Sequence, residues 1–221
     1  MNYKLQWNVV WDNLGFIMSG VWLTLGITAI SLAIAIVLGL GVGLLRISTN
    51  PWLRRGAGVY VEVFRNTPAL VQLIWVYYCL PVLTGINLNP VSSCIVALSI
   101  NGAAYVAEIF RAGIQAVPGG QAEAARSVGM SYSMSMRKVI LPQAVRHMIP
   151  PFVNESVSLL KYSSLISVLG VADLTYQAQT LSTTTFRPIE IFTFIGIVYF
   201  LLCWVISVAA QILERRLKAS A

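Results

Sequence analysis

The sequence predicts an all-α, polytopic membrane protein with five transmembrane helices. Three observations carry this. Of 221 residues, 57% are hydrophobic and only 10% are charged, against about 25% charged in soluble domains, and the mean hydropathy is +0.75. Several apolar runs reach the ~20 residues that a bilayer core asks of a helix. The runs are continuous rather than alternating, which selects helices over a closed barrel, the two forms that leave no backbone group unpaired in lipid.

The first span is Ile17–Leu45, free of charge throughout. It exceeds one bilayer thickness, so tilt or an extension into the interface is expected. The segment before it, MNYKLQWNVVWDNLG, lacks a basic stretch beside a short apolar one. The run ends at Arg46 without a small-residue cleavage site, so it reads as a retained span and not a signal peptide. Arg54–Asn66 mixes Arg54, Arg55, Glu62 and Arg65 with apolar residues, as an interfacial helix does. Thr67 then reads as an N-cap and Pro68 as the first residue of the second span, Pro68–Leu83. A short uncharged loop, Thr84–Pro90, leads to the third span, Val91–Ala107. The fourth, Ile149–Leu169, opens at a Pro150-Pro151 break and holds Glu155 and Lys161. The polar loop Gly170–Pro188 separates it from the fifth, Ile191–Ile212. No repeat or low-complexity tract divides the chain, so residues 1–221 read as one integral domain.

The net charge is +7. With the N-terminus outside and the C-terminus in the cytoplasm, eleven of the 15 basic residues fall on the cytoplasmic side: Arg46, Arg54, Arg55, Arg111, Arg126, Arg137, Lys138, Arg146, Arg215, Arg216 and Lys218. Lys4 and Arg187 stay outside, and Arg65 and Lys161 lie near or within the membrane. Four spans would strand one basic cluster outside, against the positive-inside rule. The cations flank apolar runs and form no basic face interleaved with aromatics, so lipid and not nucleic acid is the expected surrounding. Cys79, Cys94 and Cys203 lie in apolar runs without a CxxC spacing and read as small buried side chains rather than a metal site.

No phosphate-binding GxxxxGK[ST] loop, HExxH or GxSxG occurs, and the single histidine, His147, reads as structural. The chain therefore carries no catalytic site, no metal site and no cofactor of its own. Gly39, Gly41 and Gly43 sit inside the first span and suit close helix packing.

The polar interruption Gln121–Pro142, QAEAARSVGMSYSMSMRKVILP, is the most informative stretch. Glu123-Ala124-Ala125 is followed by Gly129, then by Val139-Ile140-Leu141-Pro142. This spacing resembles the EAA signature of ABC importer permeases. Val61–Leu73, Ala104–Ile114 and Asn154–Leu165 resemble segments of the polar amino-acid permeases, the histidine/glutamine/arginine group, where Asp is frequent at the place of Tyr162. The likeness covers about Val21 to Arg216. It implies a multi-pass permease of the bacterial inner membrane whose EAA loop is a coupling helix. A separate ABC ATPase, in two copies, would carry ATP and Mg. A second permease chain, identical or related, would complete a ten-helix pore, and a periplasmic or extracellular amino-acid-binding protein would deliver the cargo. On that loop, Ala122, Ala124 and Ala125 make a low-profile helix, Glu123 offers a carboxylate, Gly129 ends the helix in a left-handed conformation, and Leu141-Pro142 close the motif.

Charges inside spans are costly and need partners. Glu62 with Arg65, and Glu108 with Arg111, are three apart and read as structural pairs. Glu155 and Lys161 are six apart, nearly opposite on a helix, so Glu155 either meets a partner helix or faces a substrate path. Asn101, beside Gly102, is a second polar candidate, and Lys161, Ser163 and Ser164 complete the candidate path. Three functions follow: an ABC import permease for polar amino acids, an ABC permease for a methionine-type or opine-type cargo, or a self-contained carrier or channel with Glu155 as its proton or ion site.

Overall fold

A computed structural model describes residues 3–219, with side chains described through Ile212. The side chains of Arg215, Arg216 and Lys218 lie outside the described ones. The helices are α1 (Asn8–Asp12), α2 (Leu14–Arg46), α3 (Pro51–Arg65), α4 (Ala69–Thr84), α5 (Pro90–Gln115), α6 (Gly119–Ser127), α7 (Tyr132–Leu169), α8 (Leu174–Thr185) and α9 (Pro188–Ala219). Among the described residues, α2, α5 and α9 are long and apolar enough to cross a membrane. Counting α3 with α4 and α7 with α8 as broken spans brings the number to five.

Several boundaries correct the sequence reading. The helix α3 starts at Pro51, because the Asn50 side chain accepts the Trp52 N–H at 3.0 Å and Pro51 has no N–H to leave unpaired. Pro68 takes the cap position in an extended conformation, with Ala69 first in the helix, so the Thr67–Pro68 start shifts by a residue. The helix α5 runs past Ala107 and carries Glu108 and Arg111 within it. Ser131 caps α7 through the Met134 N–H, and the helix continues through Pro150 and Pro151, so no break stands there. Arg146 and His147, whose carbonyls lose those two proline donors, are exposed. The Gly170–Pro188 loop contains α8, capped by Asp173 accepting the Tyr176 N–H at 2.8 Å. Leu174, Ala178 and Leu181 bury one face of it at helical spacing.

Two helices contain a wider π turn, Trp75–Cys79 in α4 and Met136–Ile140 in α7. Each precedes a Leu-Pro pair, Leu80-Pro81 and Leu141-Pro142, whose leucine N–H reaches back five residues. A proline ring clashes with the carbonyl four residues before it. Here that carbonyl, of Tyr77 or Lys138, belongs to the π turn, which gives the room.

The chain divides into two compact units. The first gathers residues through Ala33, Thr67–Ser99 and Val157–Val205; the second gathers Ile34–Asn66, Ile100–Ser156 and the chain from Ile206. In the first, one core packs Val10, Ile17, Leu174, Ala178 and Ile191, and another packs Ile27, Leu73, Leu98, Leu159 and Ile166. Gly20 admits the α8 start so closely that a Cβ there would lie 2.5 Å from the Leu174 nitrogen. Buried Glu190 accepts the Tyr3 hydroxyl at 2.5 Å and the Gln6 N–H at 2.8 Å, and the first of these bonds raises the Tyr3 pKa above its ordinary value. Cys94 is buried but Cys79 is exposed, against the expectation of three buried thiols.

In the second unit, α2 lies along α5. A Cβ on Gly39 would meet Val106 Cγ1 at 2.4 Å and one on Gly43 would meet Phe110 Cβ at 3.0 Å, whereas Gly41 faces open space. Phe110 stacks edge-on against Phe152 of α7 with ring centroids 5.6 Å apart.

Candidate functional site

The second unit carries a charged cluster built on the end of α5. Glu108 receives Arg111, one turn further on, through Nε at 2.9 Å and through Nη2. Arg46, the last residue of α2, reaches Glu108 Oε2 at 3.2 Å. Arg65, the last residue of α3, stands 3.9 Å from Glu108 Oε1, with its guanidinium 5.2 Å above the Tyr105 ring. The Tyr105 hydroxyl donates to the Arg65 carbonyl at 3.3 Å. Glu108 thus gathers three guanidinium groups, so the cluster keeps an excess of positive charge. Its side chain is 20% exposed, which screens each pair. The expected Glu62–Arg65 pair does not form: Glu62 accepts the Asn66 side-chain amide at 3.0 Å, while Arg65 turns to Glu108. An exposed carboxylate three residues away competes poorly with a half-buried one already set among cations.

Beside this cluster lie two buried acceptors. Asn101 is 2% exposed; its amide donates to the Phe64 carbonyl at 3.1 Å and its Oδ1 has no partner. Glu155 is 6% exposed, its Oε1 has no partner, and the charge that acts on it is that of Arg65. An unmatched buried acceptor costs about 1–3 kcal/mol. Asn101 Oδ1 and Glu155 Oε1 both leave that cost unrecovered among the described residues.

Lys161, Ser163 and Ser164 belong to the first unit. Lys161 is exposed, and the two serine hydroxyls are spent within their own helix, on Leu160 and Lys161 carbonyls at 2.8 and 2.6 Å.

The helix α6 presents Glu123 and Ala124 exposed, with Ala125 buried. It ends in a Schellman motif: the Gly129 N–H donates to the Arg126 carbonyl at 2.9 Å and the Met130 N–H to the Ala125 carbonyl at 3.0 Å. Gly129 has φ +79°, the left-handed conformation that costs glycine nothing. Val128 and Tyr132 beside it are 73% and 75% exposed. Leu141 and Pro142 also face outward, past the π turn.

Sequence reasoning missed Arg46 as a partner of Glu108. Only packing shows it: Gly43 lies against Ala107, which brings the next turn of α2 to Glu108. It also missed the buried acids Asp173 and Glu190.

An all-helical chain with up to five spans, and a short capped helix exposed between two of them, is a polytopic membrane protein. The family model described as "Binding-protein-dependent transport system inner membrane component" matches residues 35–219, and the chain belongs to that family. It is 36% identical to the arginine transport system permease protein ArtQ of Bacillus subtilis (strain 168) over 220 residues, 98% of this chain and 99% of that one. It is 34% identical to the glutamine transport system permease protein GlnP of Escherichia coli (strain K12) over 217 residues, 97% of this chain and 99% of that one. Among solved structures, an amino acid ABC transporter crystallised with histidines has a TM-score of 0.91 at 39% identity, covering 97% of this chain and 100% of that one. The inward-facing methionine ABC transporter MetNI has a TM-score of 0.76 at 25% identity, covering 93% and 98%.

Proposed function

We propose that this chain, as one transmembrane domain over residues 1–221, is the permease subunit of an ABC importer for polar amino acids in the bacterial inner membrane. It performs no chemistry itself. A partner ATPase binds ATP and Mg and docks on α6, through Glu123, Ala124, Ala125 and the Gly129 turn, with Leu141 and Pro142 behind them. The full transporter has two permease chains, alike or related, and two ATPase subunits, fed by an external amino-acid-binding protein. The N-terminus lies outside and the C-terminus in the cytoplasm. The near full-length likeness to arginine and glutamine permeases supports a polar amino acid over a methionine-type cargo.

Within the path, Glu155 and Asn101 offer unspent acceptor oxygens to the ammonium group of the cargo. Glu62, Arg65, Glu108 and Arg111 act on the helix ends, with Glu108 as the hub.

The observation that carries this reading is the exposed α6 helix sealed by its Schellman turn, a surface shaped to enter a groove. Gly129→Asp strains the left-handed turn and adds a charge; Glu123→Lys inverts the charge of the exposed face. Each variant is expected to insert normally and to lose most transport, with ATP hydrolysis no longer stimulated by cargo. Reconstituted complexes that transport and hydrolyse like the wild type would remove the docking role.

A further inference from the structure

We propose that the groove between α2, α7 and α9 in the second unit is a phospholipid site: it takes one acyl chain of an anionic lipid, whose phosphate rests on Arg146.

Ile36 of α2, Ile149, Phe152 and Val153 of α7, and Ile206 and Ala210 of α9 line a cavity of about 380 Å³. That volume falls within the roughly 300–1,000 Å³ of ligand pockets. The lining hydroxyl, that of Ser156, is already spent on the Phe152 carbonyl at 2.8 Å. The side chains of the walls therefore suit a hydrocarbon and give a polar cargo nothing to bind. Each lining residue is half-buried, so the groove opens to the surroundings of the spans instead of closing as core.

One end of the groove has the opposite chemistry. Ile149, Phe152, Val153 and Ser156 share one face of α7 at helical spacing. Arg146, three residues before Ile149 and seven before Val153, continues that face by one turn. It is exposed, and among the described residues it makes no hydrogen bond or ion pair. Its N–H fork is free to take a phosphate by two parallel bonds. Pro150 and Pro151 also deprive the Arg146 and His147 carbonyls of their helical donors. A cation with bare acceptors beside it fits a head group that carries both a phosphate and hydroxyls, as phosphatidylglycerol does.

The dimensions agree. Arg146 and Ser156 are ten residues apart in one helix, about 15 Å along its axis. Half of the ~30 Å hydrocarbon core is the depth of one leaflet. A second copy meeting this face across a two-fold axis would bring another Arg146 and no anion, so the charge favours a lipid.

The test is native mass spectrometry of the detergent-purified permease–ATPase complex, titrated separately with dioleoyl phosphatidylglycerol and dioleoyl phosphatidylcholine. The two probes share their chains and differ in net charge. The wild type should bind the glycerol lipid roughly fivefold more tightly, the share of one basic residue at an anionic lipid. Arg146→Gln should erase that preference and leave the choline lipid unchanged. Ala210→Phe, whose ring fills the groove, should weaken both lipids. Equal wild-type affinity for the two would overturn the proposal whether or not the variants fold. So would a preference that survives Arg146→Gln, or an Ala210→Phe complex that binds both lipids like the wild type. An Ala210→Phe complex that separates into single permease chains would assign the groove to a second copy and overturn the lipid site.

Discussion

Glu155 holds one carboxylate oxygen without a partner in a side chain that is 6% exposed. A buried carboxylate persists only if paired, protonated or given a ligand. Glu155→Gln keeps the shape and removes the charge. It should lower uptake by roughly 10-fold to 100-fold, the loss of one charge-assisted contact of about 1.5–3 kcal/mol, with the transporter still assembled. A salt bridge of purely structural purpose predicts the reverse, poor assembly restored by neutralising Arg65, the charge that acts on it. Assembly by size-exclusion chromatography and uptake by labelled cargo separate the two; normal values for both would sink either role. At this scale the sequence was legible in kind but not in pairing. Residue spacing offers Glu62 to Arg65 as readily as Glu108 to Arg111, and only the approach of α2, α3 and α5 decides that Glu108 takes all three arginines.

Among the glycines of helix α2, the sequence presents Gly39, Gly41 and Gly43 as equivalents, and the structure separates them. Gly39→Ala would put a methyl 2.4 Å from Val106 and 2.9 Å from the Ala103 carbonyl. That overpacking should cost about 1–3 kcal/mol. Gly41→Ala meets open space and should instead gain a few tenths to 1 kcal/mol from helix propensity. Thermal unfolding of the purified protein checks this, and a Gly39→Ala midpoint at or above that of Gly41→Ala would contradict the packing. Apolar runs made α2, α5 and α9 legible, since each holds a stretch of mean hydropathy 1.5 or more. The helix α8 was not, because its Thr, Gln and Ser surface hides a stripe of only Leu174, Ala178 and Leu181. Asp173 before Leu174 was the cap signal that could have exposed it.

For the whole molecule, the proposed orientation in the membrane rests on the distribution of basic residues rather than on packing. A cysteine at Ser131 should react only with reagents that enter the cytoplasm, and one at Thr183 only with reagents outside. Both positions are exposed, so access depends on the side of the membrane alone. Labelling of both from one face would remove the fourth crossing. Three of the spans were legible because a membrane restricts the chain to a few long apolar segments. The broken spans were legible only in part, because a helix that bends or passes through Pro150 and Pro151 shows the same residues as one that stops.

The two Leu-Pro π turns each fit one more residue into a helical turn than the α geometry holds. Such a turn is what a single inserted residue leaves behind. Deleting one residue from Met136–Ile140 would return the segment to α geometry. Everything beyond it, Glu155 included, would then turn about the helix axis by roughly 100° relative to α6, the angular step of one helical residue. Glu155 would leave its orientation although no residue near it had changed. Two sequences that differ by that one residue would align best with a gap placed just before the Leu-Pro pair.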